Sequence, residues 1–319
     1  MSLRSRADLA GVTLGDALPV AVMGVINVSP ESFHPGSVYH GDEAVLKAAL
    51  GMVEAGAALI DVGARSTAPY LETGISEAEE TARLVRAVGV LAAKLPVPVS
   101  ADTSRPAAAR AALQAGARVV NDVSALAEPA LARVAAEHGA GLIVMACAVS
   151  RTRRSDRAEG GRSEMGGDEG GGRSETARVE GAGLSAMGRV EAAIPAVRRI
   201  LRDALAAARA AGVPEERIVL DPGIGFFRDA GVPWHAWDVA VLAGLPTLAA
   251  LGRPLCVGVS RKSFVGAITG REDPAARLAG SLAATAAAVL GGAALIRTHD
   301  VAETVDAVRV AERVRRAAP

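Results

Sequence analysis

The chain has 319 residues, half of them hydrophobic and 22% charged, which is the balance of a folded protein and excludes a mostly disordered one. Lys plus Arg number 35 against 35 Asp plus Glu, so there is no global basic field for nucleic acid and no acidic tail. Aromatic residues are only 3%, too few for base-stacking platforms or carbohydrate-type aromatic clefts, and two cysteines, Cys147 and Cys256, cannot build a disulfide framework.

Residues 1–19 read as a lead-in. The first sixteen carry Arg4, Arg6 and Asp8 but no apolar core of signal-peptide length, which together with the cysteine usage suggests a cytoplasmic protein. From residue 20 onward, short apolar runs alternate with Ala-rich amphipathic stretches. In chain order the predicted pairs are strand 20–28 with helix 42–55, strand 58–64 with helix 76–94, strand 97–103 with helix 105–115, and strand 118–124 with helix 129–138. Then come strand 141–147 with helix 186–211, strand 217–222 with helix 237–251, strand 255–260 with helix 274–290, and strand 294–299 with helix 301–314. Runs such as Val-Ala-Val-Met-Gly-Val-Ile are apolar on both faces, as parallel strands covered on both sides require. Ser76 with Glu79 has the pattern of a capping box, and Gly56, Gly116, Gly139 and Gly252 sit where helices should stop. The apolar stretch 282–296 is Ala/Gly-rich, shorter than a bilayer needs, and closed by Arg297 and His299, so no membrane span is expected.

Eight strands and eight helices in alternation predict an α/β protein, a closed (β/α)8 TIM barrel forming one domain over 20–319. The alternative, a doubly wound open sheet, lacks a Gly-rich dinucleotide turn after the first strand. One segment breaks the pattern. Residues 151–181 hold 8 Gly, 7 Arg and 7 acidic residues in 31 positions, too little apolar surface to offset the entropy of ordering. They read as a disordered insertion after the fifth strand, with a lid or partner-binding loop as the other reading.

In such a barrel the reacting groups stand at the C-terminal ends of the strands. Seven of the eight ends are polar: Asn27; Asp61 with Arg65-Ser66-Thr67; Asp102-Thr103; Asn121-Asp122; Asp221; Ser260-Arg261-Lys262; and Arg297-Thr298-His299-Asp300. Each has a plainer reading. A strand-end Asp often only caps the next helix, Asn121 alone would orient a loop, Arg297 would make a rim salt bridge, and Asp61, inside its strand, would join a structural hydrogen-bond network. Together they imply a polar ligand. Asp102, Asn121, Asp221 and Lys262 suit a flat heterocycle with amino and oxo groups, and Arg297 with His299 suits an anion such as a phosphate. No zinc-ligand spacing occurs among the five histidines and two cysteines.

The motifs at these ends resemble those of the dihydropteroate synthases of the pterin-binding superfamily. The resemblance is carried by Val25-Ile26-Asn27-Val28-Ser29-Pro30-Glu31-Ser32-Phe33, Ile60-Asp61-Val62-Gly63, Ser66-Thr67-Ala68-Pro69 and Ser100-Ala101-Asp102-Thr103. It continues through Asn121-Asp122-Val123-Ser124, Asp221-Pro222-Gly223-Ile224-Gly225-Phe226, Gly258-Val259-Ser260-Arg261-Lys262-Ser263-Phe264 and Arg297-Thr298-His299-Asp300. It implies a transferase of folate biosynthesis that joins 6-hydroxymethyl-7,8-dihydropterin diphosphate to 4-aminobenzoate, or a related arylamine, and releases diphosphate. By position it implies that Asp102, Asn121, Asp221 and Lys262 hold the pterin, and that Asn27, Arg297 and His299 bind the diphosphate, with Mg2+ at Asn27. It places Thr67, Pro69, Phe226 and Ser260 at the arylamine, and Asp102, Lys262, Arg297 and His299 in the catalytic machinery. It allows a homodimer. The chain departs from the family pattern in its loops: Pro35 stands in the first, Arg65 and Ala68 in the second where the family's Arg falls at 68, Ala146 follows the fifth strand and Arg228 the sixth. These departures leave two other readings, a pterin-dependent methyltransferase and a non-catalytic pterin-binding paralogue.

Overall fold

The computed structural model describes residues 5–15, 17–29, 39, 41–65, 74–147, 186–227 and 232–317. The insertion 151–181 and the loop residues Pro35, Thr67, Ala68, Pro69 and Arg228 lie outside these.

Eight parallel strands close into a barrel, each pairing with the next in chain order and the last with the first. They are β3 (Ala21–Asn27), β4 (Leu59–Gly63), β5 (Val99–Asp102), β6 (Val119–Asp122), β7 (Gly141–Met145), β8 (Ile218–Asp221), β9 (Leu255–Gly258) and β10 (Ala293–Thr298). Seven lie inside the predicted runs, and β10 begins one residue before its own. The wall of helices comprises α1 (Asp42–Glu54), α2 (Glu77–Ala92), α3 (Pro106–Gln114), α4 (Ala130–Glu137), α5 (Ala186–Glu191), α6 (Ala193–Ala210), α7 (Trp234–Ala243), α8 (Leu245–Leu248), α9 (Ser263–Thr269), α10 (Leu278–Leu290) and α11 (Val301–Ala317). Ser76 caps α2 by accepting the Glu79 N–H at 3.1 Å.

Two helical stretches differ from expectation. The run 237–251 begins earlier, at Trp234, and breaks at Gly244, because Pro246 has no N–H to continue the ladder. The seven-residue α9 follows β9 and ends on Gly270 at φ +68°, a conformation that suits glycine. Periodicity does not reveal so short a helix.

Alternation along each strand decides what lies inside. Ile60 and Val62 of β4 pack in the outer cluster beneath the helices, while Leu59 packs in the lumen. Asp61 and Gly63 lie on either side of Val62. By the two-residue period they share the face of Leu59 and step upward from apolar floor to polar mouth. The same rule turns Asp102 inward on β5, Asn121 on β6 above Val119, Asp221 on β8 above Val219, and Arg297 on β10 above Leu295.

The lower end of the lumen is closed by an element with no counterpart among the predicted ones. β1 (Arg6–Leu9) and β2 (Val12–Gly15) form an antiparallel hairpin. Its Ala7, Leu9 and Leu14 pack with Met23, Leu59, Val119, Ile143, Val219, Cys256 and Leu295. Arg253 anchors it by donating to the Arg6 carbonyl. Water is thus kept from the underside of the polar mouth. Leu9→Ala, at a fully buried side chain, should cost about 2–5 kcal/mol in urea unfolding, against less than about 0.5 kcal/mol for exposed Val310→Ala. Equal, small effects would show that the hairpin is not part of the core.

Candidate active site

Arg297 occupies the centre of the mouth. Its Nε donates to Asp61 Oδ2 at 2.8 Å, and its Nη2 lies 2.7 Å from the same oxygen and 2.8 Å from Asp102 Oδ2. Asn121 Nδ2 donates to Asp61 Oδ2 at 3.0 Å. Asp61 is wholly buried and Asp102 nearly so, yet Oδ1 of each, and the hydroxyl of Ser100 beside Asp61 in register, have no hydrogen-bond partner among the described residues. Buried polar atoms left without partners are costly, and their clustering at an open mouth is the signature of a site that a polar ligand completes. Asp61 thus makes the hydrogen-bond network expected of it, as the anchor of Arg297 and Asn121 in this cluster.

The electrostatics follow. Burial pushes the Asp102 carboxyl up to about 7; Arg297 draws it down, while Asp61 and Glu80 push it further up. Asp221 is likewise raised by burial, against the pull of Lys262 and of the Gly223 N–H. Burial opposes the charge on Arg297, but Asp61 and Asp102 outweigh it and hold the guanidinium above its ordinary range.

The loop after β8 builds the next wall. Asp221 Oδ1 accepts the Gly223 N–H at 2.7 Å, and Asp238 Oδ1, fully buried on α7, accepts the Gly225 N–H at 2.8 Å. Gly223 sits at φ +72°, and a Cβ there would overlap the Ala146 carbonyl, so the turn requires glycine. The turn brings Ile224 O to Lys262 Nζ, which also stands 4.6 Å from the centre of the Phe226 ring.

At the neighbouring rim, after β9 and β10, Ser260 Oγ lies 3.0 Å from His299 Nδ1, and Arg261 grips Asp300 through Nε at 2.9 Å and Nη2 at 2.5 Å. Asn27 ends β3 beside Gly63; a Cβ on Gly63 would stand 3.3 Å from Asn27 Oδ1 and 3.7 Å from Asp102 Oδ2, so glycine keeps the space between them clear. The structure therefore brings Asn27, Asp102, Asn121, Asp221, Phe226, Ser260, Lys262, Arg297 and His299 to one end of the barrel. Thr67 and Pro69 lie outside the described residues.

Two strand-end residues have other duties. Asp122 accepts the N–H groups of Ser124 at 3.0 Å and Leu126 at 2.6 Å and the Ser124 hydroxyl at 2.6 Å, which holds Ala125 and Leu126 at positive φ. Arg65 turns to buried Glu80 (3.4 Å) and to Ser104 Oγ (3.3 Å). Glu80 also meets Arg105 at 3.0 Å and accepts the Thr103 hydroxyl at 2.5 Å. This ionic cluster behind Asp102 was not anticipated, because Glu80 reads as one of three acidic residues in a helix first turn. The thiol of Cys147 is pushed up to about 12 by burial and by Asp122, so it is no nucleophile at neutral pH.

The sequence profile of the family described as "Pterin binding enzyme" matches residues 23–299. The dihydropteroate synthase of Synechocystis sp. is 36% identical over 91% of this chain and 89% of its own length, and that of Mycobacterium leprae is 36% identical over 92% of each. The chain belongs to the dihydropteroate synthase family of pterin-binding enzymes. Among solved structures, Xanthomonas albilineans dihydropteroate synthase with 4-aminobenzoic acid superimposes with a TM-score of 0.76 at 34% identity, covering 99% of this chain and all of that one. The same enzyme in complex with 7,8-dihydropteroate gives 0.74 over 98% of this chain.

Because the folded Asp102 carboxyl titrates near 7 and an unfolded one near 3.9, the folded protein binds this proton more tightly. The resulting stabilisation is complete below about pH 4 and is lost as pH rises through 7. Stability measured by denaturation should therefore fall more steeply between pH 5 and 8 for the wild type than for Asp102→Asn. Parallel profiles would contradict the raised carboxyl.

Proposed function

We propose that this protein is a transferase with dihydropteroate synthase activity, condensing a 6-hydroxymethyl-7,8-dihydropterin diphosphate with 4-aminobenzoate or a related arylamine. The observation that carries the reading is the unpartnered Oδ1 of Asp102, beside Asn121, Asp221 and Lys262 on one polar floor. A flat ring with amino, imino and oxo groups offers the donors and acceptors that this floor lacks. Identity above 30% to named synthases along nearly the whole chain supports the same reading.

The reaction breaks the bond from the pterin methylene carbon to the diphosphate oxygen and forms a bond from that carbon to the arylamine nitrogen, which then sheds a proton. Arg297 binds Asp61 and Asp102 through Nε and Nη2, and among the described residues Nη1 makes no bond, so that edge of the guanidinium serves the departing anion. His299, on the same strand end, donates to it as well. Asp102, ionised above pH 7, lies beneath the carbon where positive charge grows. The arylamine needs no strong base, since its ammonium is acidic.

For Mg2+ the donors fit in part: Asn27 Oδ1 faces the space that Gly63 leaves open, and no group of three or more His, Cys, Asp or Glu side chains among the described residues could cage an ion alone. Asn27 would hold the ion through Oδ1, a hard oxygen donor of the kind Mg2+ takes. Mg2+ so held would supply Lewis-acid stabilisation of the leaving group. Phe226, with the Lys262 ammonium over its ring, would border the arylamine, a role that the family resemblance also gives to Thr67 and Pro69. The cation lost at position 68 is not replaced by Arg65, which is committed to Glu80. The cysteines are unpaired, and no helix among the described residues is long and apolar enough to cross a membrane, in keeping with a cytoplasmic location. A homodimer is the assembly expected by family resemblance.

Diphosphate release should require both the pterin diphosphate and an arylamine. Asp221→Ala should weaken pterin binding by about 1.5–3 kcal/mol, as for a hydrogen bond to a charged group, with the fold intact by circular dichroism. Unchanged pterin affinity would show that the ring does not rest on Asp221.

A further inference from the structure

The rim at the ends of β9 and β10, next to β8 and Asp221, contains a hydrogen-bond problem with one good solution. Ser260 is buried, and its hydroxyl has a single proton to give. Its oxygen accepts the backbone N–H of His299 at 3.3 Å. Two acceptors face the proton: His299 Nδ1 at 3.0 Å and Asp300 Oδ2 at 3.5 Å. Asp300 is already supplied by a bidentate Arg261. Arg261 is itself fixed, at φ +55°, by donating Nη1 to the carbonyls of Pro274 at 3.1 Å and Ala275 at 2.9 Å. The carboxylate therefore has little call on the serine proton, and the contact to it is the longer one.

We propose that Ser260 is a positioning residue that donates its hydroxyl proton to His299 Nδ1 and so holds His299 as the tautomer protonated at Nε2. The nitrogen opposite the serine is then an N–H donor, the form that stabilises an anion. With the proton on Nδ1 instead, the imidazole would spend it on Ser260 and turn a lone pair toward the same anion. This assigns the Ser260 hydroxyl to the histidine rather than to the arylamine, and it explains why Ser260, His299 and Asp300 are joined across β9 and β10.

The tautomer stands on geometry alone; its kinetic consequence rests on the synthase reading above. Nitrogen-15 spectra of the full-length protein at pH 8.5, with His299 assigned by its loss in His299→Gln, test the first. The expected result is an unprotonated Nδ1 and a protonated Nε2, with the pattern lost or mixed in Ser260→Ala and restored in Ser260→Thr. For turnover, Ser260→Ala should lower kcat about tenfold, the worth of one hydrogen bond, with KM for the pterin substrate unchanged, and Ser260→Thr should recover most of it. A protonated Nδ1 in the wild type would overturn the proposal even if no variant folds. An unaltered tautomer and kcat in folded Ser260→Ala would overturn it too. Failure of the wild type to release diphosphate would instead refute the synthase reading and leave the tautomer measurement standing.

Discussion

Asp61 is wholly and Asp102 almost wholly buried, and a single guanidinium answers both. Taking an ion out of water costs several kcal/mol even after the protein relaxes, so each acid depends on Arg297, and Arg297 depends on them. The three come from β4, β5 and β10. β10 lies two strands from β4 and three from β5, so the contact reaches across the lumen rather than along a ladder. One cation for two acids leaves the cluster short of positive charge. Burial and that imbalance together lift the Asp102 carboxyl toward neutrality.

The rest of the mouth is arranged around this deficit. Below it, the apolar lumen and the hairpin seal exclude water and keep the charges strongly coupled. Beside it, Asn121 spends a donor on Asp61, and the glycine turn after β8 brings Lys262 to a carbonyl and an aromatic face near Asp221. Behind it, Glu80 with Arg65 and Arg105 ties the ends of β4 and β5 to the start of α2. A neutral heterocycle rich in N–H groups would satisfy the orphaned oxygens. An anion would bring repulsion unless it lay where a cation such as Arg297 offset it.

Most of the barrel was legible because its strands are apolar on both faces and their polar ends recur in order. Ile60 and Val62 flanking Asp61 state both the strand and which residue points inward. The hairpin was not legible: Ala7, Leu9, Val12 and Leu14 are too few and too short a pattern, and they acquire meaning only when eight strands present them with a cavity. The site residues could be collected from strand ends, but not their partnerships. Arg297 suggested an anion, and nothing local says that Asp61, 236 positions away, holds it. Arg65 stands out in the sequence only as a departure from the family's loop pattern, and its partner Glu80 is visible only in the fold. Long-range charge pairing is set by closure of the barrel, and single-chain periodicity carries no trace of it.

Arg297 neutralises two buried acids, and their dependence on it is read in the stability of the fold at pH 8. Arg297→Met should be destabilised by about 3–5 kcal/mol, the cost of stranding buried charge. Adding Asp61→Asn and Asp102→Asn to it should return most of that loss, because no unpaired carboxylate then remains. If the triple variant unfolds as readily as Arg297→Met, or if Arg297→Met is as stable as the wild type, the two carboxylates do not depend on this guanidinium.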